Sequence, residues 1–276
     1  MKQSNKNNIY LPFAAEIEGI RDMGADVKHF SVVSDSIKQY IPGQFFMVGR
    51  WGAGEVPISV TSVWGDRKKA IEFAIRKVGS VTNVLHSLNK GDVIWLRGPY
   101  GNGFDTVQSR GQDVIFAAGG IGIIPLRPLI NDVLSQKRHY RKLFLLYGSK
   151  SPLELLFLQD IELWRQKGIE VILTVDEKNK KWKGNVGVVT EHVDKIKSDF
   201  EKACAYICGP EIMIKKTMEA LSLKGVRDSH IITTFEARMK CGVGKCGQCY
   251  HGTEYICING PVFSYEEIKK RKIYGP

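Results

Sequence analysis

No stretch of this 276-residue chain stays apolar over the about 20 residues that a membrane-crossing helix requires, so insertion into a bilayer is not expected. The opening residues, Met1-Lys-Gln-Ser-Asn-Lys-Asn-Asn8, hold no apolar run and do not read as a signal peptide. Cysteine is scarce, six in all, and without a sign of secretion these read as cytosolic thiols and metal ligands, with a cytoplasmic location expected. Acidic residues fall short of basic ones, 29 against 40, which leaves a formal net charge of +11. The excess is scattered over Arg138, Arg141 and Lys142, then Lys178 to Lys183, then Lys269 to Lys272. A nucleic-acid groove would need one basic stripe with interleaved aromatics, and none emerges. A solvated lysine-rich surface is the plainer reading, and steering toward an acidic protein partner is the functional one. Internal repeats and low-complexity tracts are also missing. His29, His86, His139, His192, His230 and His251 stand apart in sequence, so no acid–base constellation for a substrate of its own is apparent.

What is present is a concentration of cysteine near the C-terminus. Cys241-Gly-Val-Gly-Lys-Cys246-Gly-Gln-Cys249 is followed by Cys257, giving C-x4-C-x2-C-x7-C. The first three reproduce the interval by which a plant-type [2Fe–2S] cluster takes three thiolates from one loop. Glycine at 242, 244 and 247 suits a loop that must turn sharply around a compact inorganic core and aim amide donors at its sulfurs. Cys257 would supply the fourth thiolate from an extended segment. Zinc is the alternative, although a structural zinc site usually presents two short knuckles rather than three cysteines crowded on one loop. Disulfides are the third reading.

The length exceeds what a single core usually serves, so two domains and a small appendage are expected. Residues 13 to about 107 show six short apolar or alternating runs separated by turn-formers, which predicts a small antiparallel β-barrel. Ser80 is expected to cap a helix over Val81–Leu88. From Asp113 the pattern alternates strand and helix, beginning with the continuously apolar run Val114–Ala118, and predicts a parallel sheet covered by helices. Within it, Ser151-Pro-Leu-Glu154 reads as a capping box opening a helix to about Gln166, and Val186–Ile196 reads as another helix. The expected domains are a barrel over 1–108, an α/β domain over 109–236 and a cluster-binding segment over 237–276.

Two glycine turns point to a dinucleotide. Ala117-Ala-Gly-Gly-Ile-Gly122 joins the first parallel strand to its helix, and Gly119, Gly120 and Gly122 would let backbone amides approach a pyrophosphate at a helix N-terminus. It is not the G-x-G-x-x-G fingerprint; its position gives it weight. Cys208-Gly209-Pro210 ends another strand and would face the same crevice. Cys208 reads equally as a small buried thiol or as a contact for a nicotinamide. In the barrel, Pro57, Ile58 and Ser59 offer main-chain groups to a flavin ring edge. Ala74, Ile75 and Arg76, with Gly79, Val81 and Thr82 of the turn that follows, offer an anion site with a cation beside it.

Taken together, the barrel, the two glycine turns and the cysteine segment resemble the ferredoxin–NADP reductase superfamily. Trp95-Leu-Arg-Gly-Pro-Tyr-Gly-Asn-Gly103, Arg238–Cys249 and Tyr255–Tyr265 carry a narrower likeness, to flavin-containing electron-transfer subunits. These are the B subunit of anaerobic sulfite reductase and the gamma subunit of sulfhydrogenases, with the electron-transfer subunit of dihydroorotate dehydrogenase more distant. The resemblance implies FAD in the barrel at Pro57, Ile58, Ser59 and Thr82, NADH or NADPH on the α/β domain, and a [2Fe–2S] cluster on Cys241, Cys246, Cys249 and Cys257. It also implies an NAD(P)H-dependent subunit that passes single electrons to larger redox subunits, here expected to be those of an anaerobic sulfite reductase. A sulfhydrogenase, hydrogenase or dihydroorotate dehydrogenase assembly is the alternative. A self-sufficient reductase and a non-enzymatic zinc-binding interaction module are the readings from other classes. Val56 stands where the superfamily usually has arginine and Ile58 where it often has tyrosine, which leaves the Thr82 turn and Arg76 to hold a pyrophosphate. Ser149 and Lys150 are candidates for a 2′-phosphate, and no acidic residue marks a ribose, so the choice of dinucleotide stays open.

Overall fold

Six strands make the first unit: β1 (Phe13–Gly24), β2 (Val27–Val33), β3 (Phe45–Arg50), β4 (Gly54–Ser59), β5 (Ala70–Arg76) and β6 (Val93–Tyr100). The computed structural model describes residues 8–24, 26–66 and 69–273, so the polar opening stretch read as lacking a signal lies almost entirely outside the described residues. The strands pair antiparallel in the order β4-β3-β6-β1-β2-β5. A bridge between Val60 and Phe73 joins the two ends and curls the sheet into the expected barrel. Every second residue turns inward: Ala15 and Ile17, Phe30 and Val32, Phe46 and Val48, Ile71, Phe73 and Ile75, and Ile94 and Leu96 fill the interior. The helix after β5, α1 (Ser80–His86), begins one residue earlier than expected, with Gly79 rather than Ser80 at its cap. Thr82 is the reason: its hydroxyl accepts from the amides of Val78 and Gly79, each at 2.9 Å, and so satisfies the turn from inside the helix.

The second unit alternates β7 (Asp113–Gly119), α2 (Ile123–Ser135), β8 (Leu143–Ser149), α3 (Leu158–Gln166), β9 (Ile169–Val175), β10 (Asn185–Val186), β11 (Ala203–Cys208), α4 (Glu211–Leu223) and β12 (Ile231–Thr234). These strands lie parallel in the order β10-β9-β8-β7-β11-β12. The central β7, β8 and β11 are buried at every residue, as their unbroken apolar runs require. Two helices differ from expectation. Val186–Ile196 is a two-residue strand and then a 3-10 helix over Val189–Lys195, because Gly187 adopts φ 115° and valine and threonine crowd the segment. Ser151–Gln166 opens as a 3-10 turn over Pro152–Glu154, and α3 starts only at Leu158. The buried Tyr147 hydroxyl accepts from Leu156 N at 3.0 Å and buried Phe157 takes φ 56°, which together break the run.

The C-terminal segment contributes a hairpin of β13 (Tyr250–His251) and β14 (Glu254–Tyr255), a turn of helix α5 (Ile256–Asn259), then β15 (Val262–Ser264) and α6 (Tyr265–Arg271). Expected as an appendage, it instead extends the sheet: β15 pairs antiparallel with β12, Thr233 opposite Phe263. A capping box starts α6, with Glu267 N donating to Ser264 Oγ at 3.2 Å and Ser264 N to Glu267 Oε2 at 2.9 Å. Cys249, Ile256, Cys257, Phe263 and Ile268 share one core with Ile115, Leu146 and Ile207 of the sheet. Among the described residues no helix is long and apolar enough to cross a membrane.

Barrel and sheet are clamped by one partly buried arginine. Arg127 of α2 donates from Nη1 to Thr61 O at 2.6 Å and to Glu72 Oε2 of β5 at 2.7 Å, and from Nε to Asp160 Oδ2 of α3 at 2.7 Å. His29 Nε2 lies 3.3 Å from the same Glu72 oxygen. Burial would raise the Glu72 carboxyl, but hydrogen bonds and charge from His29 and Arg127 overcome it and hold the group at about 2, below its usual 4.5. A carboxylate depressed in this way stabilises the fold above its unfolded pKa, and that contribution is lost as pH falls from 4.5 through 2. Glu72→Gln should therefore lower stability at pH 7 by about 2 kcal/mol. Its denaturation midpoint should also change less than that of the native chain between pH 4.5 and 2, measured by urea titration across that range.

Candidate functional site

Where barrel and sheet meet, two cavities of about 390 and 660 Å³ run into each other. They share Arg76, Ile121, Gly122, Thr234, Phe235 and Glu236, and so form one crevice at the carboxyl ends of β7, β11 and β12. Pro57, Ile58, Ser59, Ala74, Thr82 and Cys208 line the smaller cavity; Gly119, Gly120, Gly209 and Pro210 line the larger. The other three sequence-predicted positions lie off the walls. Ile75 is buried inside the barrel, Gly79 caps α1, and Val81 packs against the barrel core near Gly54.

The smaller cavity suits a flat aromatic ring carrying an anionic tail. Phe45, Pro57, Ile58, Phe235 and Met239 give it apolar walls, and β4, the terminal strand in the sheet order, runs along it. Among the described residues, Arg76 and Glu236 are its only charged lining residues. Thr82 is buried with its hydroxyl held by the α1 turn, so it shapes that turn rather than presenting a free donor.

In the larger cavity the two glycine turns pack back to back. A Cβ on Gly122 would sit 2.1 Å from Cys208 O, and one on Gly119 would sit 2.5 Å from Met213 Sδ and 2.9 Å from Pro210 Cδ. These two glycines allow the turns to touch. Gly120, at φ 53° and with open space beside it, turns the chain toward the cavity ahead of α2. Cys208 is buried, and Thr234 Oγ1 donates to its sulfur at 2.8 Å. Burial pushes the thiol up to about 12 despite that hydrogen bond, so it stays neutral at physiological pH.

The four C-terminal cysteines come together as two pairs. Cys249 and Cys257 are buried with their sulfurs 3.3 Å apart, and all six cysteines of the chain are free thiols. Cys241 accepts from Val243 N at 3.5 Å and Lys245 N at 3.3 Å, with the exposed Cys246 as its neighbour. Gly244 N donates to Cys257 Sγ at 3.1 Å. Burial works against ionisation of Cys241, yet the amides of Val243, Lys245 and Cys246 and the Cys246 thiol bring it down to about 7. Burial and the Cys249 thiol push Cys257 up to about 12. A two-iron centre takes two terminal thiolates at each iron, and two sulfur pairs with inward amide donors fit that donor set. Among the described residues no group of three or more His, Cys, Asp or Glu is gathered as for a single metal ion.

The cluster loop rests on the barrel, next to the crevice. Met239 lines the smaller cavity two residues before Cys241, which bounds the backbone separation at about 7 Å. Pro261 lines it four residues after Cys257, at most about 14 Å away along the chain. Asn102, beyond β6, fixes the loop from the other side: its N donates to Gly260 O at 2.7 Å, its Nδ2 to Val262 O at 2.7 Å, and its Oδ1 accepts from Val262 N at 3.1 Å. Sequence reasoning missed Thr234, Phe235, Glu236 and Met239. Thr234 ends β12 and Phe235 and Glu236 follow it, at the carboxyl edge where the rule for ligand crevices in parallel sheets would have pointed. The Phe235 ring also lies 5.3 Å from His251 beside the cluster hairpin, a contact without a sequence signal.

Comparison with known proteins agrees with this geometry. Residues 116–219 match the oxidoreductase NAD-binding domain, and residues 236–269 match the iron–sulfur cluster binding domain of dihydroorotate dehydrogenase B. The chain is 36% identical over 280 residues to the sulfhydrogenase 2 subunit gamma of Pyrococcus furiosus, an alignment covering 94% of this chain and 96% of that one. It is 35% identical over 252 residues to a probable dihydroorotate dehydrogenase B (NAD(+)) electron transfer subunit of Thermococcus kodakarensis, covering 91% and 96%. Its fold is that of an NADH-dependent reduced ferredoxin-NADP oxidoreductase, with a TM-score of 0.76 at 24% identity over 93% of this chain and 92% of that one.

Two substitutions test the packing. Gly122→Ala drives a methyl group into the Cys208 carbonyl and should cost about 2–3 kcal/mol in chemical denaturation, whereas Gly120→Ala, facing open space, should cost only about 1 kcal/mol for its backbone conformation. Asn102→Ala should free residues 259–262, seen as faster amide exchange there with the barrel amides unchanged.

Proposed function

Because the chain belongs to the family of NAD-linked electron-transfer subunits that join an oxidoreductase NAD-binding domain to an iron–sulfur domain, we propose that it oxidises NADH or NADPH with FAD held in the crevice and a [2Fe–2S] cluster on Cys241, Cys246, Cys249 and Cys257. A bound flavin supplies the link between the two-electron hydride chemistry of a nicotinamide and the single-electron chemistry of an iron–sulfur cluster. The chain's own part is placement. Pro57, Ile58 and Ser59 offer the outer edge of β4 to the ring, while Phe45 and Phe235 exclude water from its faces. Arg76, standing where both cavities meet, supplies positive charge for a diphosphate. The Gly119–Gly122 turn and the start of α2 offer backbone donors to a dinucleotide, and Gly209 and Pro210 form the facing wall. The neutral Cys208 thiol lines the smaller cavity and is bonded by Thr234, which lines both.

The observation that carries this reading is the quartet of free thiols whose first member, Cys241, lies two residues from the crevice wall and whose last, Cys257, lies four residues from it. For the acceptor we propose larger redox subunits of a hetero-oligomeric complex. The Trp95–Gly103, Arg238–Cys249 and Tyr255–Tyr265 segments support an anaerobic sulfite reductase. The 36% identity to a sulfhydrogenase gamma subunit across 94% of the chain supports a sulfhydrogenase-type assembly as the second reading. Purifying the native complex and assaying sulfite reduction against hydrogen oxidation separates them.

The purified chain should show flavin and iron–sulfur absorbance together, and a colourless zinc protein would end the proposal. Anaerobic mixing with NADH and NADPH in separate experiments should bleach the flavin with one dinucleotide at least about tenfold faster than with the other. Each of Cys241→Ser, Cys246→Ser, Cys249→Ser and Cys257→Ser should lose the cluster absorbance while retaining flavin bleaching. Arg76→Ala should weaken dinucleotide or flavin affinity about tenfold, the loss of one charge-assisted hydrogen bond, measured by equilibrium titration.

A further inference from the structure

Arg97 of β6 lines neither cavity, yet it is only 8% exposed and its contacts converge on the cluster loop. Its Nε donates to Glu55 Oε2 on β4 at 3.0 Å and its Nη2 pairs with Glu55 Oε1. Nη1 donates to the Tyr100 hydroxyl at 3.1 Å, and Nη2 also donates to the Cys241 carbonyl at 3.1 Å. The guanidinium stands 5.7 Å from the Tyr100 ring, on which Gly242 rests so closely that an added Cβ would meet it at 2.9 Å. A buried ion pair is a weak source of stability, since apolar residues of similar volume often serve as well. What the pair does accomplish is directional. Its cation touches the peptide of a cluster cysteine, and its anion is held by the same guanidinium nitrogen, Nη2 bonding both. The positive charge in contact with the loop favours whichever cluster state carries more negative charge, and the carboxylate beside it opposes that effect.

We propose that Arg97 is a positioning residue that seats the Cys241 peptide on the barrel and raises the reduction potential of the cluster, with Glu55 acting in the opposite sense. The inference rests on the electron-transfer reading above and assigns a task to two residues outside the crevice. Because charge rather than bulk is invoked, the two partners have opposite effects. Removing the cation leaves Glu55 unopposed and disfavours the reduced cluster; neutralising Glu55 leaves Arg97 unopposed and favours it.

The test is a dithionite titration of the full-length holoprotein through redox mediators, following the electron paramagnetic resonance signal of the reduced cluster. The oxidised cluster gains one electron from dithionite, and no atom or proton is transferred in the step. Arg97→Met should lower the midpoint potential, so that at the native midpoint the ratio of reduced to oxidised cluster falls on the order of tenfold. Glu55→Gln should raise that ratio, and Arg97→Lys, which keeps the charge, should stay within about threefold of the native value. The flavin midpoint, read from visible absorbance in the same titration, should not move in any of the three. Should Arg97→Met fold poorly, Glu55→Gln and Arg97→Lys still carry the test. Shifts of the same sign in Arg97→Met and Glu55→Gln, or no shift in Glu55→Gln, overturn the inference. A native protein that holds flavin but gives no iron–sulfur signal overturns the electron-transfer reading along with it.

Discussion

The seating of the cysteine loop on the barrel is the contact from which the rest of this structure takes its meaning. Gly242 lies on the Tyr100 ring, Asn102 holds the 260–262 backbone at three points, and Phe45 belongs both to the crevice wall and to the core that buries Cys249 and Cys257. A thiol quartet on a free tail would be a metal site with no fixed relation to anything else. Fastened here, it stands at a set separation from a cavity shaped for a planar ring. The loop is tied to the barrel through Arg97 and Asn102 and is continuous with β15, which extends the parallel sheet.

The crevice depends on a second constraint, the close approach of two turns that carry almost no side chain. Gly122 meets Cys208 and Gly209, and Gly209 meets Gly119, with backbone against backbone, which brings the carboxyl ends of β7 and β11 together at the crevice. Arg127 then fixes the barrel against this floor through Glu72 and Asp160. Barrel, turns and cysteine loop each bring one wall, and no single unit encloses the site. That division explains why the residues first missed, Thr234 to Glu236 and Met239, lie at the end of β12 and in the connection from there to the cysteine loop, where an isolated motif gives no signal.

Much of the architecture was legible because it follows from local repetition. Period-two alternation marked the barrel strands, unbroken apolar runs marked β7, β8 and β11, and both glycine turns fell at strand ends. The errors came where a tertiary contact or a competing local preference overrode the pattern that was read. Ser151–Glu154 has the residues of a capping box, but Tyr147 captured the amide of Leu156 and Phe157 was drawn into the core, so the helix started late. Val186–Ile196 has apolar residues at helical intervals, but Gly187 and β-branched side chains turned it into a strand and a 3-10 helix. Thr82 read as part of an anion-binding turn, and its hydroxyl organises that turn by accepting from the amides of Val78 and Gly79.

The sequence alone determined the chemistry on offer: four thiols at an iron–sulfur interval, glycines at the ends of buried strands, and a barrel pattern ahead of an α/β pattern. These are statements about neighbours along the chain, and spacing suffices to make them. Only the tertiary structure decided that the C-terminal segment extends the sheet through β15, that the thiols divide into two pairs, and that Arg97 and Glu55 face the cysteine loop from within the barrel. Those outcomes depend on which residues from distant parts of the chain share a buried space, and burial is settled by packing the whole molecule rather than by any one segment of it.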